Sequence, residues 1–185
     1  MKKSVFPYAL IIIIVLASAV GYFFVYKTKL VTAPTNSMLT ISSSAFEPEQ
    51  MIPKQYTCDG GNINPSLIIK GAPSEARSLT LIVDDPDAPN GTWVHWVVWN
   101  IDPTAKEISE NSVPAGSVEG ITSFGKPGYG GPCPPSGTHR YFFKLYALDT
   151  ILDIPASSKK EELEKAMQGH IVDQAELMGT YARLR

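Results

Sequence analysis

The sequence predicts a mainly β protein: an antiparallel, β-sandwich-like domain with α-helices at its C-terminal end, preceded by one N-terminal transmembrane helix. Three observations carry this expectation. Short apolar runs of strand length recur between Pro and Gly punctuation from Met38 onward. The final stretch, SSKKEELEKAMQGHIVDQAELMGTYARLR, spaces Leu163, Met167, Ile171, Ala175 and Met178 at helical intervals. Residues 4–26 carry no charge at all.

The N-terminal segment, residues 1–29, reads as a membrane anchor with its helix at about 5–26, long enough to cross a hydrocarbon layer of roughly 30 Å. Lys2 and Lys3 precede it, and Lys27 and Lys29 follow. The small residues Ala17, Ser18 and Ala19 resemble a cleavage site, but the apolar run continues through Phe24 and Val25, which favours an uncleaved signal anchor. Such an anchor places the following domain on the extracytoplasmic side of a single-pass membrane protein. Residues 30–37, LVTAPTNS, form a polar linker, and residues 38–185 form one domain, since 185 residues are too few for two ordinary domains and an appendage. The sixteen basic residues less those four lysines leave 12 against 18 acidic residues. That balance excludes nucleic acid as a partner, because a phosphate backbone requires a basic patch.

Within the domain, MLTIS, SLIIKG, SLTLIVDD, TWVHWVVWNI and RYFFKLYALD are the expected strands. Ser158 with Glu161 three residues on reads as a capping box, and Gly169 as a helix break. One or two helices are therefore expected to lay an apolar face on the sheet.

Strand alternation sorts the polar residues by face. Leu79, Leu81, Val83 and Asp85 share one face, with Asp84 pointing away; Trp93, His95, Val97 and Trp99 share another; His139 and Tyr141 lie with Phe143 and Leu145, opposite Arg140 and Lys144. A buried carboxylate needs a partner. Asp85 therefore either caps the turn PDAP or holds a histidine, or it lines one cavity with the histidines, where imidazoles can receive an anion. The loop FGKPGYGGPCPPSG brings stiffening prolines and close-approach glycines just before His139, and the Gly130 and Gly131 amides are candidate anion donors.

Asp85, Asp87, His95, His139 and His170 are metal-ligand types, yet no HExxH or paired CxxC spacing occurs, and no metal site is expected. No GxSxG elbow or Walker pattern occurs either. Cys133 is a thiol nucleophile or the partner of Cys58, the only other cysteine; a bridge is worth roughly 4 kcal/mol at this separation and is the preferred reading.

Taken in order, SLTLIVDDPDAP, VHWVVWNI, FGKPGYGGPCPPSGTHRYFFKLYALD and GHIVDQAELMGTYAR resemble the phosphatidylethanolamine-binding protein family, in its prokaryotic, Raf-kinase-inhibitor-like branch. The resemblance runs from about Met38 to Arg183. It implies an antiparallel β-sandwich-like fold with C-terminal helices beside a small anion-binding pocket. By motif, it implies Asp85 and Asp87 of DPDAP, His95 of VHW, and Gly130, Pro132, His139 and Tyr141 of the second motif as pocket residues. The ligands implied are phosphate, phosphorylethanolamine and similar anions, either free or as a phospholipid headgroup. No cofactor and no catalytic residue is implied, so binding rather than turnover is expected. A hydrolase using Cys133 and His139 ranks last, for want of an orienting triad. The leading expectation is thus a membrane-tethered binding protein, with a regulatory role open to it. The alternative is an inhibitor of a kinase or protease acting through a protein–protein surface. One departure is NPSLIIKGAP, which puts Ile69 where tryptophan is common in the family.

Overall fold

Eight strands and one α-helix make up the regular structure of residues 38–183, the part of the chain that the computed structural model describes. The strands are β1 (Thr40–Ser43), β2 (Leu67–Lys70), β3 (Ser78–Asp85), β4 (Trp93–Ile101), β5 (Glu107–Ile108), β6 (Val118–Glu119), β7 (Thr138–Leu148) and β8 (Ile171–Ala182). Helix α1 (Lys160–Met167) lies between the last two. Every strand pairing is antiparallel, in a small sheet ordered β1-β2-β5 and a large one ordered β6-β4-β3-β7-β8.

The two sheets enclose the main core. Leu39, Ile41, Leu67, Ile69 and Ile108 from the small sheet and its flank meet Leu81, Val83, Trp96, Val98, Phe143 and Leu145 from the large one. A second core forms where Ile82, Val97 and Trp99 meet Leu163 and Met167 of α1. Strand β3 is therefore covered on both faces, and all eight of its residues are buried. A strand enclosed in this way reads as a continuous apolar run, as SLTLIV does.

The C-terminal expectation is corrected. Among the described residues there is one short α-helix, not a pair, and residues 171–182 form β8, the edge partner of β7. Leu163 and Met167 do pack from the helix, each burial contributing about 1.5–3 kcal/mol. Ile171 belongs to the strand and is exposed, whereas Leu177 and Tyr181 are buried with the strand period of two. The helix stops because Gly169 takes φ +80°, a left-handed turn that closes the path. Its start also differs: the Glu162 carboxylate, not Glu161, accepts the Lys159 amide at 2.9 Å.

The expectation of a transmembrane helix is corrected as well. Among the described residues, no helix is long and apolar enough to cross a membrane. The proposed anchor at residues 5–26 and the linker at 30–37 lie outside the described residues. The fold thus gives no support to the single-pass, extracytoplasmic placement, and membrane tethering is not carried forward.

Candidate functional site

At one end of the large sheet a cavity of about 500 Å³ is lined by Asp85, Ala88, Pro89, Asn90, Trp93, His95, Phe124, Cys133, Pro135 and His139. Three neighbouring strands deliver its polar groups: Asp85 ends β3, His95 sits near the start of β4, and His139 near the start of β7.

Asp85 is 3% exposed and both its oxygens are engaged. Oδ1 accepts the Asp87 amide at 2.8 Å, closing the turn, and Oδ2 receives His139 Nδ1 at 2.7 Å. The carboxylate thus performs both tasks that its position suggested. An acceptor on each oxygen fixes a proton on His139 Nδ1 and turns Nε2 toward other partners.

His95 is anchored by a different acceptor. Its Nδ1 lies 2.5 Å from the Gly130 carbonyl, while the Gly130 amide donates to the His95 carbonyl at 2.9 Å. A carbonyl oxygen can only accept, so Nδ1 carries hydrogen and Nε2 is the ring nitrogen left for the cavity. Burial pushes the His95 imidazole below its usual pKa, against the opposing pull of the Gly130 carbonyl and of Asp85 and Asp84, and the ring is held neutral.

The irregular segment between β6 and β7 reaches His95 because β6 covers only two residues of the β4 edge. Beyond it the chain continues along that edge through bonds from Gly120 to Val97 and between Ser123 and Val94. Phe124 then stands edge-on to both Trp93 and His95, at 5.4 and 5.6 Å between ring centres. The bare Gly130 lets the Phe124 ring sit against it, since a Cβ there would meet that ring at 2.2 Å and push it aside. The same segment is tied to the chain before β2. Cys58 and Cys133 are joined in a disulfide, the Cys58 amide donates to Pro132 at 3.1 Å, the Gly131 amide to Asn62 Oδ1 at 2.8 Å, and the Tyr129 hydroxyl to the Tyr56 carbonyl at 3.0 Å. Cys133 accordingly carries no thiol.

Of the residues expected at the site, Asp85, His95 and His139 line the cavity, and Gly130, Pro132, Tyr141 and Asp87 stand behind or beside it. Gly130 and Pro132 act through the backbone, as described. Tyr141 is 1% exposed, its ring 5.2 Å from that of His95. Burial, then the charge of Asp85, drives its pKa well above the tyrosine range, so its hydroxyl keeps its proton; that hydroxyl lies against the Asp85 carboxylate and the Cys133 backbone, short of full bonding geometry. Asp87 faces Arg140, which binds it with backbone amide, Nε and Nη2 at 2.9, 2.9 and 2.6 Å. The Arg140 guanidinium holds the Asp87 carboxyl down at about 2, and both carboxylate oxygens are occupied.

Sequence reasoning expected proline-rich walls, which Pro89 and Pro135 supply, but missed the contributions of Ala88 and Phe124. Trp93 was readable, since alternation placed it on the face of His95. Also missed was the role of Asp84, buried under the opposite face of the sheet, where Lys144 lies 2.8 Å from Oδ1 and Lys160 2.6 Å from Oδ2. Among the described residues, no group of three or more His, Cys, Asp or Glu side chains is arranged to hold a metal ion.

Comparison with known proteins agrees with this architecture. A profile described as phosphatidylethanolamine-binding protein matches residues 42–182. A UPF0098 protein of Methanothermobacter thermautotrophicus is 50% identical over 150 residues, covering 78% of this chain and 99% of its own. Among solved structures, a phosphatidylethanolamine-binding protein homologue from Chlamydia trachomatis superposes with a TM-score of 0.77 at 42% identity, over 80% of this chain and 100% of that one. Escherichia coli YbcL, a member of the same family, superposes with a TM-score of 0.74 at 30% identity, over 79% and 99% of the two chains. The chain therefore belongs to the phosphatidylethanolamine-binding protein family.

Proposed function

We propose that this domain is a binding protein whose cavity receives an anionic group of the phosphate or phosphorylethanolamine kind, free or at the head of a phospholipid. The observation that carries the reading is the pair of oriented imidazoles. His95 and His139 each spend Nδ1 on a protein acceptor, which leaves two Nε2 atoms for a ligand. The wall around that point is mostly apolar, from Ala88, Pro89, Trp93, Phe124 and Pro135. Turnover is not part of the proposal. Cys133 is bridged, and the site offers no oriented nucleophile beside a base.

The test is calorimetric titration of the chain with inorganic phosphate and with phosphorylethanolamine, beside His95→Ala. Saturable binding weakened at least about tenfold in a folded variant supports the reading, since a lost charge-assisted contact is worth roughly 1.5–3 kcal/mol. Binding of neither ligand, or equal binding by the variant, removes it.

A further inference from the structure

We infer that the cavity takes its oxyanion with a proton attached, as a phosphomonoester monoanion bearing P–OH, and discriminates against oxyanions that carry no proton, such as sulfate. This rests on the anion-pocket reading and specifies its ligand.

The argument begins with the Gly130 carbonyl. Because it only accepts, the tautomer of a neutral His95 is fixed: hydrogen on Nδ1 and a lone pair on Nε2. The ring is 3% exposed, and burial disfavours a second proton. Toward the cavity, His95 is therefore an acceptor.

Among the described residues, no lysine or arginine lines the wall. Arg140 is held by Asp87, and Lys144 and Lys160 by Asp84 beneath the other face of the sheet. The titratable groups around His95 are Asp85 and Asp84 on β3, His139 and Tyr141 on β7 with the Asp87–Arg140 pair beside them, and the buried phenol of Tyr129 in the loop. Pro89 and Pro135 offer no N–H.

A fully ionised oxyanion would set a negative oxygen against the Nε2 lone pair and near the Asp85 carboxylate. A P–OH group instead donates to Nε2, while the remaining oxygens accept from donors such as the Asn90 side-chain amide that lines the cavity. The proton balance is simple. The dianionic ester, the neutral imidazole and one proton from solvent give a complex with one proton more than the separated partners, shared between the ligand oxygen and Nε2. Sulfate has no proton to share near neutral pH, so it must force protonation of a buried ring.

The test is titration calorimetry of the chain with phosphorylethanolamine and with sodium sulfate, near neutral pH, in two buffers of low and high ionisation heat. The expected results are tighter binding of phosphorylethanolamine than of sulfate by at least about tenfold, and a buffer-dependent heat equivalent to about 0.5–1 proton taken up, given a phosphate second pKa of about 6. Equal affinity for both ions, or heats identical in the two buffers, would overturn the inference and leave the anion pocket standing. Binding of neither ion overturns the pocket reading and the inference with it. His95→Asn, which keeps a donor for Gly130 but has no Nε2 atom, is expected to bring the two affinities within about twofold of each other. Preserved discrimination in that variant would likewise overturn the assignment to Nε2.

Discussion

Reducing the Cys58–Cys133 bridge is the sharpest single perturbation of this fold. The two Cα atoms are 5.4 Å apart across a sequence separation of 75 residues. In the chain-entropy model a loop of that length restricts the unfolded chain by about 15 cal/mol/K, or about 4.5 kcal/mol at room temperature. For a domain of this size, each kcal/mol corresponds to about 2–4 °C, so a dithiol reductant should lower the Tm by about 9–18 °C. The Cys58→Ser, Cys133→Ser double variant should match reduction, because neither leaves a charged or strained group behind. The assay is thermal unfolding followed by far-UV circular dichroism, with and without reductant. A shift below about 3 °C would refute the reasoning, since it would mean that the bridge does not restrict the unfolded chain by the loop-closure entropy expected for this separation.

Two further outcomes follow from the ion pairs. Asp87 has a folded pKa of about 2 against an ordinary 3.8, so its contribution to stability is complete above 3.8 and is lost as pH falls through about 2. Arg140→Ala should remove that acid-labile component and bring the Asp87 titration, read by carboxyl NMR, back toward 3.8; because the Arg140 side chain is exposed, solvent screens the pair and the stability lost near neutral pH should be small. Asp84→Ala should be more costly, about 1.5–3 kcal/mol by urea unfolding, because it removes the buried carboxylate shared by Lys144 and Lys160 and leaves Lys160 only the longer 3.5 Å pair with Glu164. Burial pulls the Lys160 pKa down, but the bond to Asp84 outweighs it and the net value is raised, so the pair is interdependent. A loss below about 1 kcal/mol would show that the lysines find other partners.

How much of this could be read from the sequence depends on the distance over which each interaction acts. Alternation is local, so THRYFFKLYAL sets His139 with Tyr141 and TWVHWVVWNI sets His95 with Trp93; but a register shift between the Val83–Trp96 and Asp84–Val94 pairs turns Val97 and Trp99, expected on the face of His95, toward the helix instead. The end of the chain was not legible. Leu163, Met167, Ile171, Ala175 and Met178 mimic one helical stripe, but the stripe crosses Gly169, and beyond that break the exposed β7 edge captures the backbone as β8. Propensity gives way there to ladder hydrogen bonds whose partners lie well over twenty residues upstream. Phe124 escaped for a related reason. It sits in a segment with no period, and only the short reach of β6 along β4 carries it to His95.

The placement of the site follows from the burial of β3 on both faces. At its C-terminal end two adjacent carboxylates, Asp84 and Asp85, emerge on opposite sides of the sheet. Asp84 meets two lysines, one from β7 and one from α1, and so clamps the helix to the face away from the cavity. Asp85 meets a histidine and a turn amide on the other face. A one-residue slip in the β3–β7 register would exchange the two, putting the lysine partner at the cavity and the histidine under the helix. The pairing of Ile82 with Lys144 and Asp84 with Phe142 prevents this, and the core residues Leu81, Val83, Phe143 and Leu145 fix that pairing. The apolar register of the sandwich thus determines which carboxylate faces the cavity: the one that meets an imidazole rather than an ammonium. It also keeps lysine out of the cavity lining, the condition on which the proposed selection for a protonated oxyanion depends.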